Sequence, residues 1–474
     1  MPIKASLILV LFVLMSYLAL STGAEYTADY WMQKGDEFFQ KGSYNVSLDC
    51  YNRSIQLDES AACIWMKQGQ AYSALERYNE SLFAFNESIL RNNRVAEAWY
   101  GKGISLAHLS DYNESISCFD RAIELDPAGA LSWYSKALAL AYLGRFNESL
   151  LAFDNAIKHD GGLSDAWYNK ALILSDMGRT NESLDALKKT VELDPENVPA
   201  WSDLGLIYSS LEKYNESIKA YEKTIDLDPI NSHAWIAKGE ALLALGRYFE
   251  SAEAYSRAAE IEPMDADAWQ NDALALRLSG RYDESIAAYN NSINLSPTNA
   301  AACNGQALAY EGMKDYNASV KLFDRAIALD PSDVRYLYNK ALVLQEMKNY
   351  TEAVAAFNEV IKREPQCAEC WNRLGLCFAW LDRFGEAVDA YEKAIELDPE
   401  SRQFWNNKGI VEAIGYKDYT EALKCFDKAI EIDPGFVEAL VNKAIALKLA
   451  DRGTEAYYTL EKAKKLGYQG DIGI

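Results

Sequence analysis

The chain has 474 residues, 49% of them hydrophobic, and it contains few prolines and glycines, 11 and 26 respectively. This composition argues against a disordered protein. The formal net charge of −23 also speaks against a nucleic-acid partner, because phosphate binding needs a basic face.

The first predicted element is an apolar run of sixteen residues, Ala5 to Leu20, preceded by Lys4 and followed by Ser-Thr-Gly-Ala. This arrangement predicts a secretory signal peptide over residues 1–24, cleaved after Ala24. The alternative is an uncleaved membrane anchor, although sixteen residues fall short of the ~20 that a spanning helix needs. Either outcome places the rest of the chain outside the cytoplasm, secreted or at the cell surface.

Tryptophan then recurs with a period of 34 residues. It stands at Trp31, Trp65, Trp99, Trp133, Trp167, Trp201, Trp235, Trp269, Trp371 and Trp405, with Cys303 and Leu337 in the two missing places. In most copies a small residue follows four places later, aromatic residues follow thirteen and twenty places later, and five copies close with Leu-Asp-Pro. Two apolar patterns of helical period, split by a polar break, predict a helical hairpin that proline terminates. One hairpin cannot bury its aromatic face alone, so the strict period predicts a solenoid of stacked hairpins.

The segment AWYNKALILSDMGRTNESLDALKKTVELDP, residues 166–195, carries most of the signature of the tetratricopeptide repeat (TPR) at the expected offsets. The chain thus resembles TPR proteins, with about thirteen copies between Ala28 and Gly467. The resemblance implies an all-α, right-handed superhelical solenoid whose first helices line a concave groove. We expect one continuous solenoid over residues 25–467 and a C-terminal tail over 468–474. The twelfth copy holds one extra residue, predicted in its inter-helix turn near residues 415–418.

The groove should be lined by the second, fifth and ninth positions of each repeat. The ninth is almost always aliphatic and the fifth is often tyrosine, which predicts an apolar track for an extended or helical segment of a protein partner. The alternative is that stacking buries this stripe as ordinary core. The clamp of Lys and Asn by which chaperone-binding TPR domains hold a carboxylate is not expected, because Tyr or Met followed by Leu stands in its place. The predicted partner-binding residues are Tyr100, Ile104, Tyr134, Leu138, Tyr168, Leu172, Leu206, Leu274, Leu308, Tyr338 and Leu342.

The triplet Asn-x-Ser/Thr, the acceptor of N-linked glycans in exported proteins, occurs at twelve places. Seven copies share one position near the start of the second helix, and three share another position seven residues later. Seven residues make two helical turns, so both sets should lie on one outer face. The alternative is that these asparagines cap helices. The predicted glycosylation sites are Asn45, Asn52, Asn79, Asn86, Asn113, Asn147, Asn181, Asn215, Asn290, Asn317 and Asn349, and the twelfth triplet begins at Asn294.

The serine of these triplets bears on the choice between the two hypotheses. TPR proteins usually have alanine at that position, whereas all seven copies here have serine, which favours glycosylation. Ser251 and Ser285 occur there without an asparagine, which weakens the link.

Catalytic and metal-binding patterns are not evident in the sequence. The three histidines, His108, His159 and His233, are scattered, so no metal site, cofactor or catalytic triad is expected. Cys367 and Cys370 form a Cys-x-x-Cys motif at the predicted start of a first helix. In an exported protein this motif favours a local disulfide, with a redox role or a zinc site as alternatives.

The sequence therefore predicts a non-enzymatic, extracytoplasmic scaffold that binds a protein partner along the groove. One alternative is a self-assembling surface or filament protein formed by head-to-tail contact of unlike solenoid ends. Another is an accessory subunit of an envelope assembly or glycosylation complex. A membrane contact is expected only through the N-terminal segment, if that segment is not cleaved.

Overall fold

The structure, a computed structural model, describes residues 26–470. The predicted signal peptide and the last four residues of the predicted tail lie outside this range. Within it, 26 α-helices pair as thirteen hairpins, and one short π-helix is the only other helical element. The prediction of an all-α fold of stacked hairpins is confirmed for these residues. None of the described helices is both long enough and apolar enough to cross a bilayer.

The hairpins fall into two compact units whose sequence boundary lies between Leu227 and Asp228. In both units the odd-numbered helix is the first of its hairpin and the even-numbered helix is the second. The six hairpins of the first unit are formed by α1 (Ala28–Gln40), α2 (Tyr44–Leu57), α3 (Ala62–Ala74), α4 (Tyr78–Arg91), α5 (Ala96–His108), α6 (Tyr112–Leu125), α7 (Ala130–Tyr142), α8 (Phe146–His159), α9 (Ser164–Asp176), α10 (Thr180–Leu193), α11 (Val198–Ser210) and α12 (Tyr214–Leu227).

The second unit holds the remaining seven hairpins. They are formed by α13 (Ser232–Ala244), α14 (Tyr248–Ile261), α15 (Ala266–Leu278), α16 (Tyr282–Leu295), α17 (Ala300–Gly312), α18 (Tyr316–Leu329), α19 (Val334–Glu346), α20 (Tyr350–Arg363), α21 (Ala368–Trp380), α22 (Phe384–Leu397), α23 (Arg402–Val411), α24 (Tyr419–Ile432), α25 (Val437–Leu449) and α26 (Gly453–Lys465), with the π-helix Glu412–Tyr416 between α23 and α24. The single continuous array over residues 25–467 stays a prediction.

The recurring tryptophan ties each hairpin to the turn that precedes it. The indole Nε1 of Trp133 donates a hydrogen bond to the carbonyl oxygen of Pro127 at 3.2 Å. The same bond, six residues back along the chain, is made by all nine of the repeat tryptophans from Trp65 to Trp405. It satisfies a carbonyl that the turn leaves without a helical partner. The period of 34 residues is therefore the period of this contact.

Each hairpin turns at a residue with a left-handed backbone. In the fourth hairpin this residue is Gly144, with φ 71°, and the amide of Arg145 closes the turn on the carbonyl oxygen of Leu140 at 2.9 Å. This pattern of bonds is the Schellman motif that commonly ends a helix. Glycine adopts the conformation without strain, whereas Ser110 and Asp382 adopt it in other hairpins with φ of 66° and 56°.

In several hairpins a core aromatic ring lies in a gap left by glycine. Phe119 of α6 is fully buried, and a Cβ added to Gly103 of α5 would lie 2.6 Å from its ring. Phe85 of α4 is held in the same way, because a Cβ on Gly101 would lie 2.2 Å from its ring. The predicted pairing of small and large residues therefore sets how closely the two helices approach.

The extra residue of the twelfth hairpin lies in a helix and not, as predicted, in the turn. Helix α23 ends at Val411 and continues as the π-helix Glu412–Tyr416, after which Lys417 has φ 54°. A π-turn closes its hydrogen bond over five residues instead of four, so it absorbs one residue without lengthening the connection.

The eighth hairpin replaces an ion pair that other hairpins share. Elsewhere a lysine of the first helix binds an acid sixteen residues earlier, as Lys170 binds Asp154 and Lys340 binds Asp324, both at 2.5 Å. At the eighth hairpin the lysine position holds Asp272, and the acid position, on α14 of the preceding hairpin, holds Ser256, whose hydroxyl donates to Asp272 Oδ1 at 2.8 Å. Asp272 is only 3% exposed, and burial raises its pKa to about 6.

We expect the replacement Asp272→Asn to stabilise the second unit near neutral pH by up to about 2–3 kcal/mol. The folded pKa near 6 lies above the unfolded value of about 3.9, so folding penalises the ionised carboxyl above pH 6. That penalty fades as the pH falls from 6 towards 4, and the advantage of the variant should fade with it. Hydrogen exchange of α15 and α16 at both ends of this pH range measures the effect. Asp154→Asn, which removes an acid paired with lysine, should give no such gain, and a gain independent of pH would contradict the ionisation argument.

Candidate functional site

The first helices of neighbouring hairpins contact one another in the first unit, where α3 meets α5, α5 meets α7 and α7 meets α9. The predicted partner-binding residues of this unit lie on these helices and on α11. We call them the first-unit groove, defined as Tyr100, Ile104, Tyr134, Leu138, Tyr168, Leu172 and Leu206.

None of the seven residues of the first-unit groove is buried. Leu206 is 62% exposed and Leu172 is 36% exposed, whereas Leu138 packs its inner side against the core of the unit. The ring of Tyr134 lies 6.0 Å from that of the buried Phe153. Both hypotheses about the stripe therefore hold in part, since its inner edge belongs to the core and its outer edge meets solvent.

The second-unit positions predicted for partner binding offer less surface. Leu274, Leu308, Tyr338 and Leu342 lie on α15, α17 and α19, and each is partly exposed. Leu308, Tyr338 and Leu342 pack against buried clusters. None of the four reaches the exposure of Leu172 or Leu206, so among the predicted positions those of the first unit are the more accessible.

Two further residues of α7, which the sequence did not single out, extend the apolar surface. Leu131 is 55% exposed and Tyr142 is 73% exposed. A cavity of about 550 Å³ is lined by Tyr100, Ile104 and Leu131, and one of about 350 Å³ by Ile104, Leu138 and Tyr142. The sequence does contain a sign of this surface, because Leu131 is apolar at a repeat position where the neighbouring repeats have the acidic residues Glu97 and Asp165.

Polar bonds hold the groove tyrosines in place. The Tyr168 hydroxyl donates to Asp203 Oδ2 at 2.9 Å, and Asn169 Nδ2 donates to the Tyr134 hydroxyl at 3.2 Å. Burial raises the pKa of both Asp203 and Tyr168. These bonds link α7, α9 and α11 side by side and leave the tyrosine rings as contact surface.

The predicted glycosylation asparagines are exposed, except for Asn349, which is partly exposed. The seven copies near helix starts do not act as N-caps, because each stands second in its helix, as Asn113 does in α6 behind the capping residue Asp111. Asn349 alone among the predicted sites caps a helix, α20, through its side chain. The capping hypothesis is therefore wrong for the repeated position, because the asparagine there lies inside the helix and not at its N-cap. Glycosylation of these sites stays a prediction.

The serines of the repeated triplets have a structural role of their own. Ser149 donates its hydroxyl to the carbonyl oxygen of Ala137 at 2.8 Å, which joins the two helices of the hairpin. The same bond, twelve residues back, is made by Ser251 and Ser285, whose triplets lack an asparagine. The preference for serine at this position is therefore explained by packing and does not support glycosylation.

The eight cysteines comprise one disulfide-bonded pair, five buried thiols and the exposed Cys63. The structure joins Cys367 and Cys370 as a disulfide at the start of α21, with Cα atoms 5.3 Å apart. Cys50, Cys118 and Cys425 are buried, and burial raises the pKa of their thiols to about 11, 11 and 12. These thiols act as small apolar residues in the core. Among residues 26–470, no group of three or more His, Cys, Asp or Glu side chains is placed to hold a metal ion.

Family models described as tetratricopeptide repeat or TPR repeat match most of the chain. The matched residues are 35–76, 64–94, 96–128, 164–197, 202–263, 236–300, 304–360, 338–402 and 381–435. The chain belongs to the tetratricopeptide repeat family. TPR arrays are typically non-catalytic scaffolds, and they commonly mediate protein–protein interactions by binding peptides or proteins. The predicted family is confirmed.

Several solved TPR structures are similar to this chain. The chain is 24% identical to YrrB, described as a TPR protein with an unusual peptide-binding site, over 40% of this chain and 97% of YrrB, with a TM-score of 0.36. It is 16% identical to yeast Tom70 over 93% of this chain and 92% of Tom70, with a TM-score of 0.37. It is 15% identical to a chain of the Cut9–Hcn1 hetero-tetramer of the APC/C over 91% of this chain and 98% of that one, with a TM-score of 0.38. A search of curated proteins found no match.

Proposed function

We propose that this TPR protein is a non-enzymatic, extracytoplasmic scaffold that binds a segment of a partner protein along the first-unit groove. The observation that carries the proposal is the exposure of large apolar side chains on three adjacent first helices. Leu131 and Tyr142 of α7, Leu172 of α9 and Leu206 of α11 are each at least 36% exposed. Exposed apolar side chains concentrated on adjacent helices favour an interaction site.

The spacing and charge of the groove favour a partner of particular chemistry. Packed helices lie about 8–10 Å apart, a distance spanned by about three residues of an extended chain or about six of a helix. We therefore expect a partner segment with apolar side chains at one of these intervals. Glu97 and Asp165, both exposed, lie at the starts of α5 and α9, so basic side chains beside the apolar ones would add electrostatic complementarity.

The extracytoplasmic location rests on the N-terminal sequence pattern, which lies outside the described residues. Protein recovered from its native source should begin at Glu25 if the signal peptide is cleaved, and at Met1 if the segment is retained as an anchor. N-terminal sequencing of the cell-surface and secreted fractions distinguishes the two outcomes. Recovery of the protein in the cytoplasm alone would refute this part of the proposal.

Site-specific photo-crosslinking tests the binding role. A photoreactive residue at Leu206, in the groove, is compared with one at Leu151 of α8, a second-helix position of almost equal exposure, 62% against 63%. We expect the Leu206 probe to label one dominant partner in native extracts and the Leu151 probe to label it at least tenfold less. Equal labelling by both probes would contradict groove binding. Crosslinks mainly between copies of this chain would support the self-assembling alternative instead.

A further inference from the structure

Ten of the twelve Asn-x-Ser/Thr triplets lie wholly inside second helices, and their serines are inaccessible. The ten serines are each 0% exposed: Ser47, Ser54, Ser81, Ser88, Ser115, Ser149, Ser183, Ser217, Ser292 and Ser319. Eight of them donate their hydroxyl to a backbone carbonyl of the preceding first helix, as Ser88 does to Ala62 at 2.9 Å. In the folded protein these hydroxyls are therefore inside the hairpin.

The acceptor rule explains why this burial matters. A glycosyl transferase that requires serine or threonine two places after asparagine must contact both side chains. In a helix, residues i and i+2 do not face each other. Asn113 illustrates the conflict, because it is exposed on α6 while Ser115 is buried against Gly103. A helical triplet of this kind cannot present both groups to one enzyme surface.

Two triplets differ from the other ten. Asn294 is exposed near the end of α16, and its serine, Ser296, lies beyond the helix with φ −129° and ψ 81° and is partly exposed. Asn349 lies outside α20 as its N-cap, and Thr351 is exposed in the first turn. Asn349 donates to Glu352 Oε1 at 2.9 Å on an exposed surface, a bond that solvent competes with.

We propose that the folded protein accepts N-linked glycans only at Asn294 and Asn349, and that the other ten triplets are acceptors only before their hairpins close. In the transfer, the asparagine Nδ2 forms a bond to C1 of the sugar while the bond from C1 to the pyrophosphate of a lipid carrier breaks. The pyrophosphate leaves with the electron pair, and one Nδ2 proton passes to a base of the transferase. This inference does not depend on partner binding by the groove. It deepens the extracytoplasmic part of the proposed function, where such a transferase acts.

The test uses full-length protein made in a host without N-glycosylation. The folded protein is incubated with a purified oligosaccharyltransferase and a lipid pyrophosphate-linked oligosaccharide, and occupancy is read by mass spectrometry of peptides. We expect glycan at Asn294 and at Asn349, and occupancy at least tenfold lower at Asn113 and Asn147. Synthetic peptides spanning residues 110–120 and 290–300 serve as unfolded acceptors, and both should be modified.

Helix α16 provides a matched control within the same protein. The replacement Asp283→Asn creates a triplet whose serine, Ser285, is 0% exposed and bonded to Ala273 at 2.7 Å. The new asparagine should stay unmodified in the folded variant while Asn294 is modified. Occupancy of the new site or of Asn113 at the level of Asn294 would overturn the proposal. A folded protein unmodified at Asn294 would also overturn it, whether or not the free peptides are accepted. None of these results depends on where the native protein is located, which the N-terminal sequence tests separately.

Discussion

Replacing Leu172 and Leu206 together by aspartate is expected to weaken partner binding by about 100-fold to 1,000-fold. Anchoring side chains at protein interfaces each contribute about 2 kcal/mol or more, and a carboxylate in an apolar contact adds a desolvation cost. The two leucines are the most exposed members of the first-unit groove and stand on the adjacent helices α9 and α11. Titration of the captured partner against wild type and the double variant measures the loss.

The same replacements should leave the fold intact. Leu206 is 62% exposed and Leu172 is 36% exposed, so neither aspartate has to enter a sealed core. Leu138 differs, because its inner side packs on buried residues, and Leu138→Asp is expected to unfold its hairpin as well. The control Leu151→Asp places the same charge on α8 and should change neither binding nor hydrogen exchange. Undiminished affinity of the double variant for the partner would contradict binding along the first-unit groove. Faster hydrogen exchange in α9 and α11 would show that the two leucines belong to the core.

The sequence predicted the repeated features because each depends on contacts within or next to one hairpin. The tryptophan period predicted the hairpins, since the indole bonds to a carbonyl only six residues away, as Trp269 does to Pro263. The helical period likewise placed Leu172 and Leu206 on first-helix faces that meet solvent. Local geometry of this kind repeats with the sequence, so a single register describes all copies.

Properties that depend on neighbouring hairpins could not be obtained in this way. Leu138 and Leu206 occupy the same repeat position, yet Leu138 is partly buried against the core and Leu206 is exposed. The serines of the glycosylation triplets match an enzymatic motif and a packing bond equally well, and only the geometry of the hairpin distinguishes them. The position of the extra residue in the twelfth hairpin could not be predicted either, because the sequence around Gly415 is compatible with a longer turn as well as with a π-helix.

Replacing Phe153 by alanine is expected to cost the fourth hairpin about 3–5 kcal/mol of local stability. Phe153 is fully buried, and its ring supports Tyr134 of the groove from behind at a centroid distance of 6.0 Å. Removing it leaves a cavity between α7 and α8 that adjacent rigid helices cannot fill. Because each hairpin of a solenoid contacts only its neighbours, the loss should stay local. Hydrogen exchange should accelerate in α7 and α8 and remain unchanged in α1 and α2.

The chain supplies its own control for this replacement. The fifth hairpin carries Leu187 at the position of Phe153, and Leu187 is also buried, at 1% exposure. Phe153→Leu should therefore cost less than about 1.5 kcal/mol. Partner affinity should follow the same order, falling for alanine and changing little for leucine, since only alanine withdraws the support of Tyr134. A loss spread equally to α1 and α2 would contradict the local character of the packing. A stability loss below about 1 kcal/mol for Phe153→Ala would show that the fourth hairpin rearranges to fill the cavity. The position of Tyr134 would then depend on its hydrogen bond with Asn169 rather than on the aromatic core.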